Sequence, residues 1–128
     1  MEIDLADVVA ELRAVFDDYE RAFVENDIAA LNRYFLDAPT TIRYGVADRQ
    51  MGMDEIRAYR RTAPTADLAR RLGETTITSY GRDLAVASTL FFRDSAPGKT
   101  GRQMQTWIRT ADGWRIVAAH VSVINEPA

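Results

Sequence analysis

From residue 68 onwards the chain alternates apolar and polar side chains with period two. Residues 68–80, 84–93, 100–110 and 114–124 each carry the pattern of a half-buried strand. Only short spacers separate them: Gly81-Arg82-Asp83, residues 94–99 and Ala111-Asp112-Gly113. Long strands joined so tightly pair as consecutive antiparallel hairpins. The first half follows the helical period instead. Leu5, Val8, Val9, Leu12, Val15, Phe16, Tyr19 and Phe23 recur at three and four residues, giving one apolar stripe over residues 4–25. Asp4 is placed to cap that helix and Asp7 to favour its first turn. A second helix is expected over residues 28–35, a strand over 40–45, a turn into a short partner strand at 46–50, and a third helix over 54–62 that Pro64 stops. Helices first and a bent antiparallel sheet second predict an α+β arrangement. Three N-terminal helices pack into a strongly curved sheet, and the long first helix crosses the concave side. Such a cone holds small ligands at its open end.

Composition narrows the partners. Residues 1–128 suit a single domain. A net charge of −3 argues against nucleic acid, which is bound through a basic face. No cysteine and one histidine leave neither a disulfide framework nor an ordinary zinc site. No stretch approaches the ~20 apolar residues of a membrane span. The acidic start MEIDLADVV has no basic n-region, so a cytoplasmic location without membrane partners is expected. No cofactor motif is present; phosphate loop, GxSxG elbow and metal-ligand spacing are all absent.

The residues then suggest a family. The element order ends in Gly113-Trp114-Arg115-Ile116-Val117 and His120-Val121-Ser122. It resembles the nuclear transport factor 2 (NTF2-like, cystatin-like) fold of the SnoaL-like and ketosteroid isomerase-like group. Arg43-Tyr44-Gly45, Gly52, Ile56-Arg57-Ala58-Tyr59-Arg60, Gly101-Arg102-Gln103-x-Gln105-Thr106-Trp107 and Ala118-Ala119-His120-Val121-Ser122 are similar to one subfamily. It contains the AtzH-like decarboxylating amidohydrolase of cyanuric acid breakdown and the HpxZ-like oxalurate catabolism proteins. The resemblance implies a small carboxylated urea or oxalurate-type anion as substrate, and a functional link to an amidase. The family often carries another arginine at the end of the third helix. Ala63 and Pro64 stand there, so Arg60, Arg61, Arg70 or Arg71 would have to replace that contact.

The candidate site starts from the final hairpin, residues 101–124, whose polar set of Arg102, Gln103, Gln105, His120 and Ser122 exceeds what a core strand needs. By strict alternation Trp114, Ile116, Ala118, His120 and Ser122 share one face. A histidine on a covered strand is most often a satisfied core residue; facing the cavity it could act as acid or base. Tyr19, on the buried stripe, could relay a proton or simply pack. Arg43 is either an edge-strand arginine facing water or a guanidinium turned inward to clamp a carboxylate. Arg60, Arg61, Arg70 and Arg71 would give the rim a positive field. Parity lets only one of Arg70 and Arg71 face inward, and Arg71 is favoured. Gln103 and Gln105 share a face with Trp107; on an exposed sheet face glutamines are ordinary, whereas amides buried in a cavity donate and accept at once, suiting a urea-like substrate.

Tyr19, Arg43 and His120 are thus the catalytic candidates, with Arg60, Arg71, Gln103, Gln105 and Ser122 as substrate-binding residues. The expected activity is cleavage of a C–N bond, with or without loss of carbon dioxide. The alternatives are an isomerase or cyclase, which needs a carboxylate base in the cone, and a non-catalytic partner of an amidase. A homodimer through the open sheet face, bearing Val86 or Phe91 and Val117 or Val123, is expected in either case.

Overall fold

The computed structural model describes residues 1–126. Helix α1 spans Ala6–Val24, α2 Ile28–Tyr34 and α3 Met53–Thr62. The strands are β1 Ile42–Tyr44, β2 Arg49–Met51, β3 Arg71–Tyr80, β4 Leu84–Phe92, β5 Lys99–Thr110 and β6 Gly113–Asn125. They form one sheet in the order β2-β1-β6-β5-β4-β3. The last four strands are the expected antiparallel meander. Strand β1 joins β6 in parallel and β2 in antiparallel fashion. The fold is the α+β arrangement read from the sequence.

The apolar stripe of α1 lies on the sheet as its period requires. Val8, Leu12, Phe16, Tyr19 and Ala22 are buried and pack in one core with Ile77, Ala85, Ala87, Trp107 and Ile116. The start of α1 differs from expectation. Asp4 does not cap it; α1 begins after Leu5 with no side-chain cap. Asp4 takes a left-handed backbone (φ 59°), donates its N–H to Ser79 O and accepts from Ser79 N, both at 3.0 Å. It ties the N-terminus to β3, an edge strand whose free backbone groups need cover. Helix α2 does have a side-chain cap, with Asp27 accepting from Ala30 N. Helix α3 follows Gly52 and ends before Ala63 and Pro64, because proline cannot continue it.

Two irregularities decide which side chains face the concave side. In β6, Trp107 pairs with Ile116 while Thr106 pairs with Ala118, so Val117 has no partner of its own. In β3, Leu72 pairs with Phe91 while Thr75 pairs with Thr89, so an extra residue lies between them. Each is a β-bulge, and one inserted residue reverses the facing of everything beyond it. Past the first bulge the inward residues are Ala119 and Val121. His120 and Ser122 turn outward. Beyond the second, Leu72 and the preceding Arg70 face in and Arg71 faces out. The expected first long strand also starts later, at Arg71.

The outer face of the sheet carries Val86, as expected, with exposed Tyr44, Leu84 and Met104. Phe91 is buried and lines the cavity, so it belongs to the opposite face. Val123 pairs with Gly101 on that same inner side, and Val117 sits in the bulge.

Candidate functional site

A cavity of about 230 Å³ opens between α1, α3 and the concave side of the sheet. Its polar lining includes Tyr19, Arg43, Asp48, Arg60, Arg70, Arg93, Gln103 and Gln105. Phe23, Leu31, Phe35, Phe91 and Val121 supply much of the apolar remainder. Of the residues singled out from sequence, Tyr19, Arg43, Arg60, Gln103 and Gln105 come together here.

His120, Ser122 and Arg71 do not. His120 is exposed and meets the Tyr44 ring edge-on, 5.8 Å between centroids. Ser122 accepts a hydrogen bond from Arg102 Nε on the same outer face. Arg71 is exposed, with its guanidinium 4.8 Å from the Phe92 ring. All three misplacements come from the two bulges, which strict alternation does not anticipate.

Arg43 sits in β1, opposite Ala119 of β6 and Gln50 of β2. This places it inward, while its neighbour Tyr44 points out. Its Nη1 donates to Asp48 Oδ1 at 2.7 Å and to Gln50 Oε1 at 2.8 Å. Gln50 Nε2 closes the ring by donating to the same Asp48 oxygen at 2.9 Å. Burial would push the Asp48 carboxyl up, but the hydrogen bonds from Gln50 and Arg43 outweigh it and hold it below its ordinary value. Among the described residues only Nη1 of Arg43 makes hydrogen bonds, and the Tyr59 ring lies 4.8 Å from the guanidinium.

Arg60 projects from the last turns of α3 into the cavity, 4.9 Å over the Phe35 ring. Its Nε and Nη2 are buried and meet no acceptor. Desolvation pulls its pKa down; Tyr19 opposes that shift and the like charge of Arg43 adds to it. A guanidinium cannot shed its proton at ordinary pH, so the charge stays, and no carboxylate among the described residues pairs with it.

Arg70 is deeply enclosed, its side chain only 1% exposed. Its Nε and Nη2 donate to the two oxygens of Glu20, at 2.9 and 2.6 Å. The same Nη2 donates to Gln103 Oε1 at 3.2 Å. Phe23 and Phe91 flank it at 4.0 and 4.7 Å. The Phe91 ring fits because residue 101 is glycine: a Cβ there would lie 2.2 Å from the ring. Gln103 Nε2 is buried without a partner among the described residues. Gln105 Oε1 accepts from Trp107 Nε1 at 3.1 Å. Burial lowers the pKa of Arg93, and the nearby Arg70 adds to that shift.

Four arginines thus line the cavity with one carboxylate, Asp48, while Glu20 pairs with Arg70 and Asp67 lies near Arg93, so positive charge is in excess among the described residues. Among the described residues no cluster of histidine, cysteine, aspartate or glutamate could hold a metal ion. Sequence reasoning missed Asp48, Glu20 and Arg93, and preferred Arg71 to Arg70. Asp48 lies in a turn and Glu20 on a charged helix flank, where acidic residues are ordinary. Only their arginine partners distinguish them.

The model of the AtzH-like family matches residues 1–127. The chain belongs to the AtzH-like family. Two solved structures are similar over nearly their whole length. One is a protein of unknown function from the DUF3225 family of Pectobacterium atrosepticum. It is 49% identical, with a TM-score of 0.93 over 95% of this chain and 94% of that one. The other is a cystatin-like fold protein from Burkholderia xenovorans. It is 50% identical, with a TM-score of 0.94 over 99% of both chains. An NTF2-like superfamily protein from Salmonella enterica shares the fold at 24% identity, with a TM-score of 0.72 over 96% of this chain and 93% of that one. No curated protein matches. Among the described residues no helix is long and apolar enough to cross a membrane.

Proposed function

We propose that this AtzH-like protein binds a small carboxylated urea or oxalurate-type anion in the cone, the dianion of an N-carboxylated urea above all, and cleaves its C–N bond, with loss of carbon dioxide where the nitrogen is carboxylated. Arg60 carries the proposal. A buried guanidinium without a counter-ion costs several kcal/mol; a ligand carboxylate removes that cost. Arg43 offers its other edge to a second carboxylate, while Asp48 and Gln50 keep it from swinging away. The sequence resemblance to a decarboxylating amidohydrolase points the same way.

The chemistry uses residues already in place. In an N-carboxylated substrate the bond from nitrogen to the carboxylate carbon breaks, its electron pair stays on nitrogen, and carbon dioxide leaves. The nitrogen takes a proton from the Tyr19 hydroxyl, which recovers one from water. Arg60 beside Tyr19 stabilises the transient phenolate. His120, on the far side of the sheet, takes no part. Incubation of the purified protein with 1,3-dicarboxyurea and with oxalurate tests the reading. Carbon dioxide release from the first or urea release from the second above the buffer rate, lost in Arg43→Ala, supports it. Buffer-level release from both substrates overturns it.

One observation favours a second reading, an isomerase: Asp48 is a carboxylate in the cavity lining. The hydrogen bonds that depress its pKa also make it a weak base, which disfavours proton abstraction from carbon. The proposal includes a homodimer through the outer face around Tyr44, Leu84 and Met104. Light scattering at twice the 14.4 kDa chain mass supports that part, and the monomer mass contradicts it.

A further inference from the structure

We infer that Arg70 and Trp107 are positioning residues that fix Gln103 and Gln105 as hydrogen-bond donors, making the β5 wall a subsite for a carboxylate in preference to a carboxamide. This deepens the dianion reading above and rests on it.

A glutamine amide has an accepting end and a donating end, and in isolation either can face a ligand. Here chemistry removes the choice. Guanidinium and indole N–H groups can only donate. The Gln103 atom 3.2 Å from Arg70 Nη2 must therefore be its oxygen. The Gln105 atom 3.1 Å from Trp107 Nε1 must be its oxygen too. Both side chains are nearly inaccessible and both line the cavity. Turning either amide over would set N–H against N–H in a buried place.

The two locking groups cannot move aside. Arg70 is held by both Glu20 oxygens and clamped between Phe23 and Phe91. Trp107 is fully buried, with Tyr19 and Tyr34 edge-on at 6.1 and 5.9 Å. The wall therefore presents donors alone, and Gln103 Nε2 still has no acceptor. A carboxylate offers an acceptor to each donor. A carboxamide must turn its own NH₂ towards one of them. The wall thus selects against the amide end of a urea, although a free glutamine would have accepted it.

Calorimetric titration with malonate and malonamate, which differ only in one carboxylate against one carboxamide, tests this. The protein is expected to prefer malonate by about tenfold or more, the scale of a hydrogen bond to a charged group. Trp107→Phe keeps an aromatic ring and removes the N–H, at the cost of a cavity where the five-membered ring stood, so Gln105 can turn over and the preference falls severalfold. Gln103→Glu keeps the acceptor for Arg70 but replaces the donor by a second oxygen, so the preference reverses towards malonamate. A merely structural Trp107 would lower stability without moving the ratio. An unchanged ratio in both variants overturns the inference and leaves the dianion reading standing. If Trp107→Phe fails to fold, the presence or absence of reversal in Gln103→Glu decides. Failure of the unmodified protein to bind either probe overturns both the inference and the reading beneath it.

Discussion

Arg70 and Glu20, fifty positions apart in sequence, meet through two hydrogen bonds at 2.9 and 2.6 Å behind the cavity wall. Removing one partner strands the other, because the Arg70 side chain is only 1% exposed. Glu20→Ala should cost about 3 kcal/mol of stability in urea unfolding. The double variant Glu20→Ala/Arg70→Met should recover part of that loss, since methionine can fill the space between Phe23 and Phe91 without a charge. A double variant less stable than the single would show that the pair is not what holds this wall.

Gly101 makes room for that arrangement. Its missing Cβ would lie 2.2 Å from the Phe91 ring, and the nearest atoms belong to a ring with little freedom to retreat. Gly101→Ala should destabilise by about 2 kcal/mol, the usual scale of overpacking. It should also weaken malonate binding, because the displaced Phe91 no longer holds Arg70 in line. Thermal unfolding together with calorimetry separates the two effects.

Asp48 supplies a pH dependence. Its folded-state pKa lies below the ordinary 3.8. The stability it contributes is therefore complete above about pH 4 and is lost as the pH falls through the lower folded value. Asp48→Asn should be less stable than the unmodified protein at neutral pH. The gap should narrow in unfolding measurements below about pH 4. A gap that widens with acid would contradict the Arg43–Asp48–Gln50 ring as its source.

His120 lies outside the cone, so His120→Ala should leave turnover and stability nearly untouched, within about 0.5 kcal/mol for either quantity, as for other exposed positions. A large drop in kcat would place the histidine back in the chemistry and contradict the outward facing assigned to it.

That prediction marks where sequence reading stopped. Element order and the sheet-crossing first helix with Tyr19 on its buried stripe were legible, because each follows from an unbroken period. Gln103 and Gln105 were legible as sharing a face but not which way it points, and Arg43 stood open between water and cavity. The facing of His120, Ser122 and Arg71 was not legible. Val117 and the extra residue after Leu72 look like ordinary strand residues, and only pairing with β5 and β4 reveals them as bulges. The glutamines were recognised as ligand contacts, but their direction was hidden. It depends on Arg70 and Trp107, whose side chains reach them only in the folded sheet. Asp4 read as a helix cap for a similar reason: the competing partner, Ser79, is remote in sequence.

The central claim is that the unpartnered Arg60 charge exists for a ligand carboxylate. Carbon dioxide release from 1,3-dicarboxyurea by Arg60→Met, measured beside its urea unfolding midpoint, tests this most directly. The predicted result is loss of turnover in a protein at least as stable as the original, because an uncompensated buried charge has gone. Turnover that persists in Arg60→Met would contradict the claim.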